Sequence, residues 1–337
     1  MFKPSSIPLS AVPTLRVIRG ARTTLRGRLL RAVLGIDPAE ATFARRGFTA
    51  ATPEARERLE RVGLTFLYGY HAALQSDEGG LAARLEETEP VMHGFAYEGA
   101  GMALALLDLL TPWRRDRLAA LLRGAGARHA YMVHVGAGWA LARLRRPFHQ
   151  VPRGMDPLLG WLAADGYGFH EGYFHPRRFV DGCELPARLS GYALRGFDQG
   201  LGRSTWFVHG ADPERIGRVL ARFPLARREG LWSGVGLACA YAGGSRGGEA
   251  RALAAAAGAY GPALAQGAAF AAEARRRAGN PAAHTDRACR ILCGGPAEDA
   301  AAVTIETREG IAPRGPIPAY GVWRMSVQEH FADRSHT

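Results

Sequence analysis

The stretch Gly99-Ala100-Gly101-Met102-Ala103-Leu104-Ala105 decides how this chain is read, because it returns as Gly136-Ala137-Gly138-Trp139-Ala140-Leu141-Ala142 and again as Gly234-Val235-Gly236-Leu237-Ala238-Cys239-Ala240. Three copies of one Gly-x-Gly, apolar, Ala-x-Ala string form an internal repeat, the signature of stacked supersecondary units. At an offset of 135 residues, Leu81, Leu85, Tyr97 and Met102 fall on Ile216, Leu220, Trp232 and Leu237. A related helix start recurs at Phe66 to Gly69, Phe197 to Gly200 and Leu264 to Gly267. The pattern predicts duplicated helical hairpins over about 54–145 and 190–305, packed through Gly/Ala-rich faces.

The flanking segments carry the same period. Leu59, Val62, Phe66, Tyr70 and Leu74 keep the three-and-four spacing of an amphipathic helix after Thr52-Pro53, a cap followed by a first-turn proline. Segments 80–88, 97–110, 115–123, 213–223 and 249–257 behave alike, and strand-like alternation is confined to short pieces near 129–135 and 203–208. The fold class expected is all-α or mainly α. The Gly-x-Gly pairs do not make a dinucleotide site, which needs a third glycine three positions on. Positions 104 and 141 are leucine and 239 is cysteine. Small residues at these spacings instead let two helix backbones approach closely.

Composition narrows the class. The chain has 337 residues, 47% of them hydrophobic, enough for a sizeable core, and its 43 glycines follow no collagen period. The formal charge is +12, nearly all from arginine, since Lys3 is the single lysine. Seven basic residues, Lys3 to Arg31, precede the first acid, Asp37, so the excess is concentrated at the N-terminus. The remainder lacks the aromatic and basic interleaving of a single-strand binder, and no nucleic-acid partner is expected. Residues 1–34 read as a basic arm or helix, with Leu25, Leu29, Leu30, Val33 and Leu34 on helical spacing suited to peripheral contact with an anionic membrane. With no secretory h-region and no membrane-length apolar run, a cytoplasmic protein is expected. Residues 35–305 read as a single helical domain and 306–337 as an irregular Pro- and Gly-rich tail. Cys183, Cys239, Cys289 and Cys293 are scattered, form no zinc or haem spacing, and read as reduced, buried structural thiols.

The chemistry-bearing stretch is Asp165-Gly-Tyr-Gly-Phe-His170-Glu171-Gly-Tyr173-Phe174-His175. Two histidines five apart with a carboxylate, set among glycines, suit a loop that transfers protons. His170, Glu171 and His175 are the candidate catalytic residues. His134 or Asp198 could converge on them as a distant third ligand, but the spacing is not that of a zinc protease helix and no metal is assigned. No Gly-x-Ser-x-Gly elbow or Walker-type Gly-Lys-Ser/Thr is present.

Six strings, GFAYEGAGMALALLDLLTPWRRDRL, YMVHVGAGWALARL, DPLLGWLAADGYGFHEGYFHPRRFV, FDQGLGRSTWFV, LWSGVGLACAYAGG and LAQGAAFAAEARRRAGNPAAHT, resemble the domain-of-unknown-function family 1702, the conserved protein of enediyne biosynthesis cassettes associated with enediyne polyketide synthases. The resemblance runs from about Gly35 to about Val303. It implies a cassette protein acting on a linear conjugated polyene, or its iodinated derivative, while the enediyne core precursor forms. It further implies partners within the cassette, an integral membrane protein among them. It assigns no catalytic residue and no cofactor. A rod-like polyene needs a long apolar groove, and Tyr97, His134, Trp139, Phe169, Tyr173, Phe174, Asp198, Gln199, Trp206 and Trp232 are the residues expected to line and rim it. The alternative is a non-catalytic adaptor or carrier that holds the apolar intermediate and tethers the cassette at the membrane.

Overall fold

The computed structural model describes residues 25–76, 78–111 and 113–333. Its helices are α1 (Leu25–Leu34), α2 (Phe43–Arg46), α3 (Pro53–Gln75), α4 (Glu78–Leu85), α5 (His93–Leu110), α6 (Arg117–Arg123), α7 (Ala130–Arg143) and α8 (Leu162–Phe174). After these come α9 (Ala193–Val208), α10 (Pro213–Leu220), α11 (Leu225–Ala242), α12 (Gly247–Ala257), α13 (Gly261–Ala278), α14 (Ala283–Leu292), α15 (Ala297–Glu306) and α16 (Ala319–Asp333). Among the described residues there is no strand, only one isolated bridge between Arg314 and Ile317. The all-α class is therefore observed. The two strand-like segments are helical, in α7 and α9, because their β-branched residues face a core on every side and need no period-two alternation. Thr52 caps α3 as expected, its hydroxyl accepting the Ala55 N–H.

Seven helices, α3, α5, α7, α8, α9, α11 and α13, pack in that order, and glycine is the device at every interface. A Cβ on Gly99 would strike the carbonyl oxygen of Phe66, and one on Gly69 that of Ala96, so α3 and α5 touch reciprocally. Gly101 faces Val133 while Gly136 faces Glu98; Gly138 faces Ala163 while Gly166 faces Val135. Gly168 and Gly200 join α8 to α9, Gly202 and Gly234 join α9 to α11, and Gly236 and Gly267 join α11 to α13. In each pair the residue number rises along one helix as it falls along the other, so neighbours run antiparallel. Two residues on a helix are about 200° apart, so the first glycine of a Gly-x-Gly meets the preceding helix and the second the following one. The sequence repeat is thus a two-sided packing device. It also occurs at Gly166/Gly168 and Gly200/Gly202, where the flanking residues obscure it.

The array curls back on itself. The Arg58 guanidinium of α3 donates to the carbonyl of Ala242 on α11 at 2.8 Å, and the Phe95 and Tyr241 rings meet edge to face at 5.1 Å. The C-terminal segment is not the irregular tail expected: α16 buries Tyr320, Trp323 and Arg324 against α13 and α15. The Trp323 indole N–H donates to the carbonyl of Thr304 at 2.8 Å and its ring lies 4.4 Å from that of Phe270. Gly310, Pro313, Gly315 and Pro318 form only the connection to this helix. Of the N-terminal arm, α1 is described, resting on α3 through Arg31 to Gln75 and through Tyr70 to the Leu34 carbonyl. The rest of that arm lies outside the described residues. No helix among the described residues is long and apolar enough to cross a membrane. The four cysteines are free thiols, three buried and Cys183 partly so, and burial raises the Cys239 thiol to about 12.

Candidate functional site

The curl of the array leaves an apolar slot inside it. The slot is narrow, with a cavity volume of about 50 Å³. Phe66, Phe95, Trp139, Phe169, Tyr173, Phe174 and Phe207 supply most of its walls, with Leu237, Ala238, Tyr241 and Ala242 from α11, and Ile36, Glu40 and Ala41 also lining it. The rings are interlocked: Trp139 lies 4.6 Å from Phe66 and 5.0 Å from Phe169, and Phe169 lies nearly parallel to Tyr173 at 5.9 Å.

Three charged groups line the slot, Glu40, Glu98 and Arg203, of which Glu40 is paired with Arg45 and Arg46. Glu98 Oε1 accepts the Trp139 indole N–H at 3.1 Å and lies 3.7 Å from Arg203 Nη2. Arg203 also donates to Asp165, whose second oxygen accepts the Gln199 amide at 2.8 Å. Burial, opposed by Arg203 and reinforced by the Asp165 charge, raises the Glu98 carboxyl to about 7. A carboxyl titrating near neutrality inside an apolar slot can donate or accept a proton there. Behind it runs a buried polar line: Ser233 donates to Gln266 at 2.8 Å, and Arg324 of α16 donates to the same Gln266 oxygen at 3.3 Å. Glu98, Asp165, Gln199, Ser233 and Gln266 each sit immediately before the glycine that meets the preceding helix. The line therefore crosses the array where its backbones are closest.

His170, Glu171 and His175 are brought together, but on a helix rather than a loop. His170 and Glu171 lie in α8 and His175 caps it. The glycines that suggested a loop are packing positions: Gly166 meets Val135, Gly168 meets Phe197 and Gly172 meets the Ser204 side chain. Glu171 lies 3.6 Å from His170 Nδ1 and 4.0 Å from His175 Nε2. Burial holds the His170 imidazole below its usual range, partly opposed by Glu171. The three residues face not the slot but a neighbouring basic groove, and the Phe174 ring lines both cavities.

Of the residues expected to line the ligand groove, Trp139, Phe169, Tyr173 and Phe174 do so. Tyr97 instead stacks on His129 at 4.2 Å. His134 is spent on backbone, bonding the Ala130 carbonyl and accepting the Asp156 N–H, and so converges with neither His170 nor His175. Asp198 pairs with Arg227 at 2.6 Å, Gln199 belongs to the polar line, Trp206 donates to the Gly243 carbonyl and Trp232 is core. Among the described residues no cluster of three or more His, Cys, Asp or Glu could hold a metal. Sequence reading passed over Glu98 and Arg203. The available signal was a carboxylate directly before the first Gly-x-Gly, which with Asp108 makes the only two acids of an otherwise largely apolar helix.

An all-α array stapled by reciprocal glycines around an aromatic slot is the class of protein this fold and site define. The chain belongs to DUF1702, a family described as proteins of unknown function, which it matches over residues 25–331. No curated protein and no solved structure matches it.

Proposed function

We propose that the protein binds a linear conjugated polyene, or its iodinated derivative, in the aromatic slot and acts on it during formation of an enediyne core precursor. The observation that carries the reading is the narrow, aromatic lining of the slot. A conjugated chain is about 3.5–4 Å thick at van der Waals contact, so a narrow, ring-lined cavity suits it better than a compact ligand. The six family-like strings supply the pathway context. Proton transfer on the bound chain falls to Glu98, held by Trp139 and Arg203, because it lines the slot, whereas His170, Glu171 and His175 face the neighbouring groove.

Co-expression with the polyene synthase and mass spectrometry of what stays bound to the purified chain test this. A conjugated polyene retained by the wild type and lost from Ala238→Leu, which fills the slot, supports the reading. The same ligand on both proteins, or on neither, refutes it. Glu98→Gln that keeps the polyene but no longer converts it separates an enzyme from a carrier, and His170→Ala serves as the comparison.

One observation favours the adaptor reading as a second role. Leu25, Leu29 and Val33, spaced four apart on α1, are 84%, 65% and 71% exposed beside Arg26 and Arg28, an amphipathic face suited to an anionic membrane or a membrane-embedded cassette partner. Loss of vesicle binding by Leu25→Glu/Leu29→Glu, with polyene binding intact, would support it.

A further inference from the structure

The open groove beyond Phe174 has a volume of about 890 Å³ and is lined by seven arginines against one carboxylate, Glu171. Four of the arginines are engaged. Arg45 and Arg46 pair with Glu40 at 3.0 and 2.7 Å, Arg178 pairs with Glu184 at 2.5 Å, and Arg143 bonds the Tyr70 hydroxyl and the Leu34 carbonyl. Arg145, Arg177 and Arg188 are exposed and have no ion-pair partner among the described residues. Three unneutralised guanidiniums on one concave surface favour an anion, which they can bind in the planar fork geometry that carboxylate and phosphate accept.

Two further features belong to the same groove. His170 is 8% exposed, and its buried Nδ1 makes no hydrogen bond, its nearest acceptor being the Glu171 carboxylate at 3.6 Å. Arg145 sits at φ +52°, closing α7 with its N–H on the Ala142 carbonyl, a left-handed position that glycine normally fills. A long cationic side chain is kept there at a conformational cost.

We propose that this groove is the head-group site for the ligand of the aromatic slot: an apolar chain ending in a carboxylate or phosphate, its head held by Arg145, Arg177 and Arg188 and its chain passing the Phe174 ring. The geometry behind this is the shared wall, since Phe174 lines both cavities and its ring lies 6.1 Å from Trp139 within the slot. The groove is concave, so its arginines are reached by a small head group rather than by the flat face of an acidic protein. The inference rests on the slot being a polyene site, and it adds that the chain is anionic at one end.

Emission titrations of the full chain with cis-parinaric acid, a conjugated tetraene carboxylic acid, and with its uncharged methyl ester test it. Wild type should bind the acid about tenfold more tightly than the ester, and this preference should shrink with added salt. Arg177→Glu/Arg188→Glu should abolish the preference while leaving ester affinity unchanged, which also reports that the variant is folded. Displacement of the acid by dodecanoate or by dodecyl phosphate distinguishes the two head groups. Equal binding of acid and ester by the wild type overturns the head-group site and leaves the slot standing. Binding of neither overturns both.

Discussion

Gly136→Ala isolates the packing device from everything else in the protein. Gly136 lies inside α7, where helix propensity alone would make alanine better by about 1 kcal/mol. Its added methyl, however, would meet the backbone carbonyl of Glu98, far inside the 3.0 Å that real Cβ atoms respect, with the Met102 N–H 2.7 Å away. Backbone cannot rotate aside as a side chain can, so α5 and α7 must separate by roughly 1 Å, losing dispersion contacts along the interface. Overpacking of this kind costs about 1–3 kcal/mol and, with no flexible neighbour to yield, the upper end of that range is expected. Urea denaturation of the purified variant should give a net loss of about 2 kcal/mol after the propensity gain. Gly248→Ala is the control, for it too is helical but nothing lies within 4 Å of its would-be Cβ, and it should be neutral or stabilised by up to about 1 kcal/mol. The separation also moves Trp139 relative to Glu98, three residues along α7, so the slot should loosen in Gly136→Ala. Stability of Gly136→Ala equal to or above wild type would refute the account of the repeat given above.

Other consequences can be measured independently. The Glu98 carboxyl is raised from 4.5 to about 7, so the folded chain holds a proton that the unfolded chain releases, and its favourable contribution, full below pH 4.5, is lost as pH rises through 7. Glu98→Gln should therefore gain on the wild type between pH 4.5 and 7, by as much as about 3 kcal/mol; a constant difference between the two denaturation curves would contradict this. His71, His129 and His284 are lowered to about 4, 3 and 4, chiefly by burial, so they stabilise the fold above pH 6.5 and that contribution is lost as pH falls toward 4. His129→Gln should accordingly soften acid unfolding, followed by circular dichroism. Truncation after Glu309 should abolish the cooperative transition, and Trp323→Ala should cost about 3–5 kcal/mol, because the α16 indole is fully buried. Arg145→Gly should leave stability unchanged or raise it by up to about 1 kcal/mol by relieving the left-handed arginine. It should nevertheless weaken parinaric acid binding in the same titration.

Much of this architecture was legible in the order of residues, and the misreadings share one cause. The repeat Gly-x-Gly-apolar-Ala gave helices and close packing because both depend on a local period. Composition misled where a residue had two uses. The glycines around His170 suggested a loop, yet they are contact points inside α8; the prolines and glycines near 310–318 suggested a tail, yet they are the turn into α16. Trp206 and Tyr97 were plausible slot residues by chemistry, but each lies on a helix face turned toward a different neighbour.

The sequence by itself determined that the chain is helical and that its backbones touch through glycine, since helix period and residue size are local properties. Only the tertiary structure decided which polar groups share a site. Asp165 and Arg203 come from the neighbouring helices α8 and α9, whereas Glu98 comes from α5, with α6 and α7 between, and reaches Arg203 only because the antiparallel array curls. That curl is the sum of many helix contacts, so no single segment encodes it. For the same reason the carboxyl raised toward neutrality is one that looked, in one dimension, like a stray charge beside a repeat.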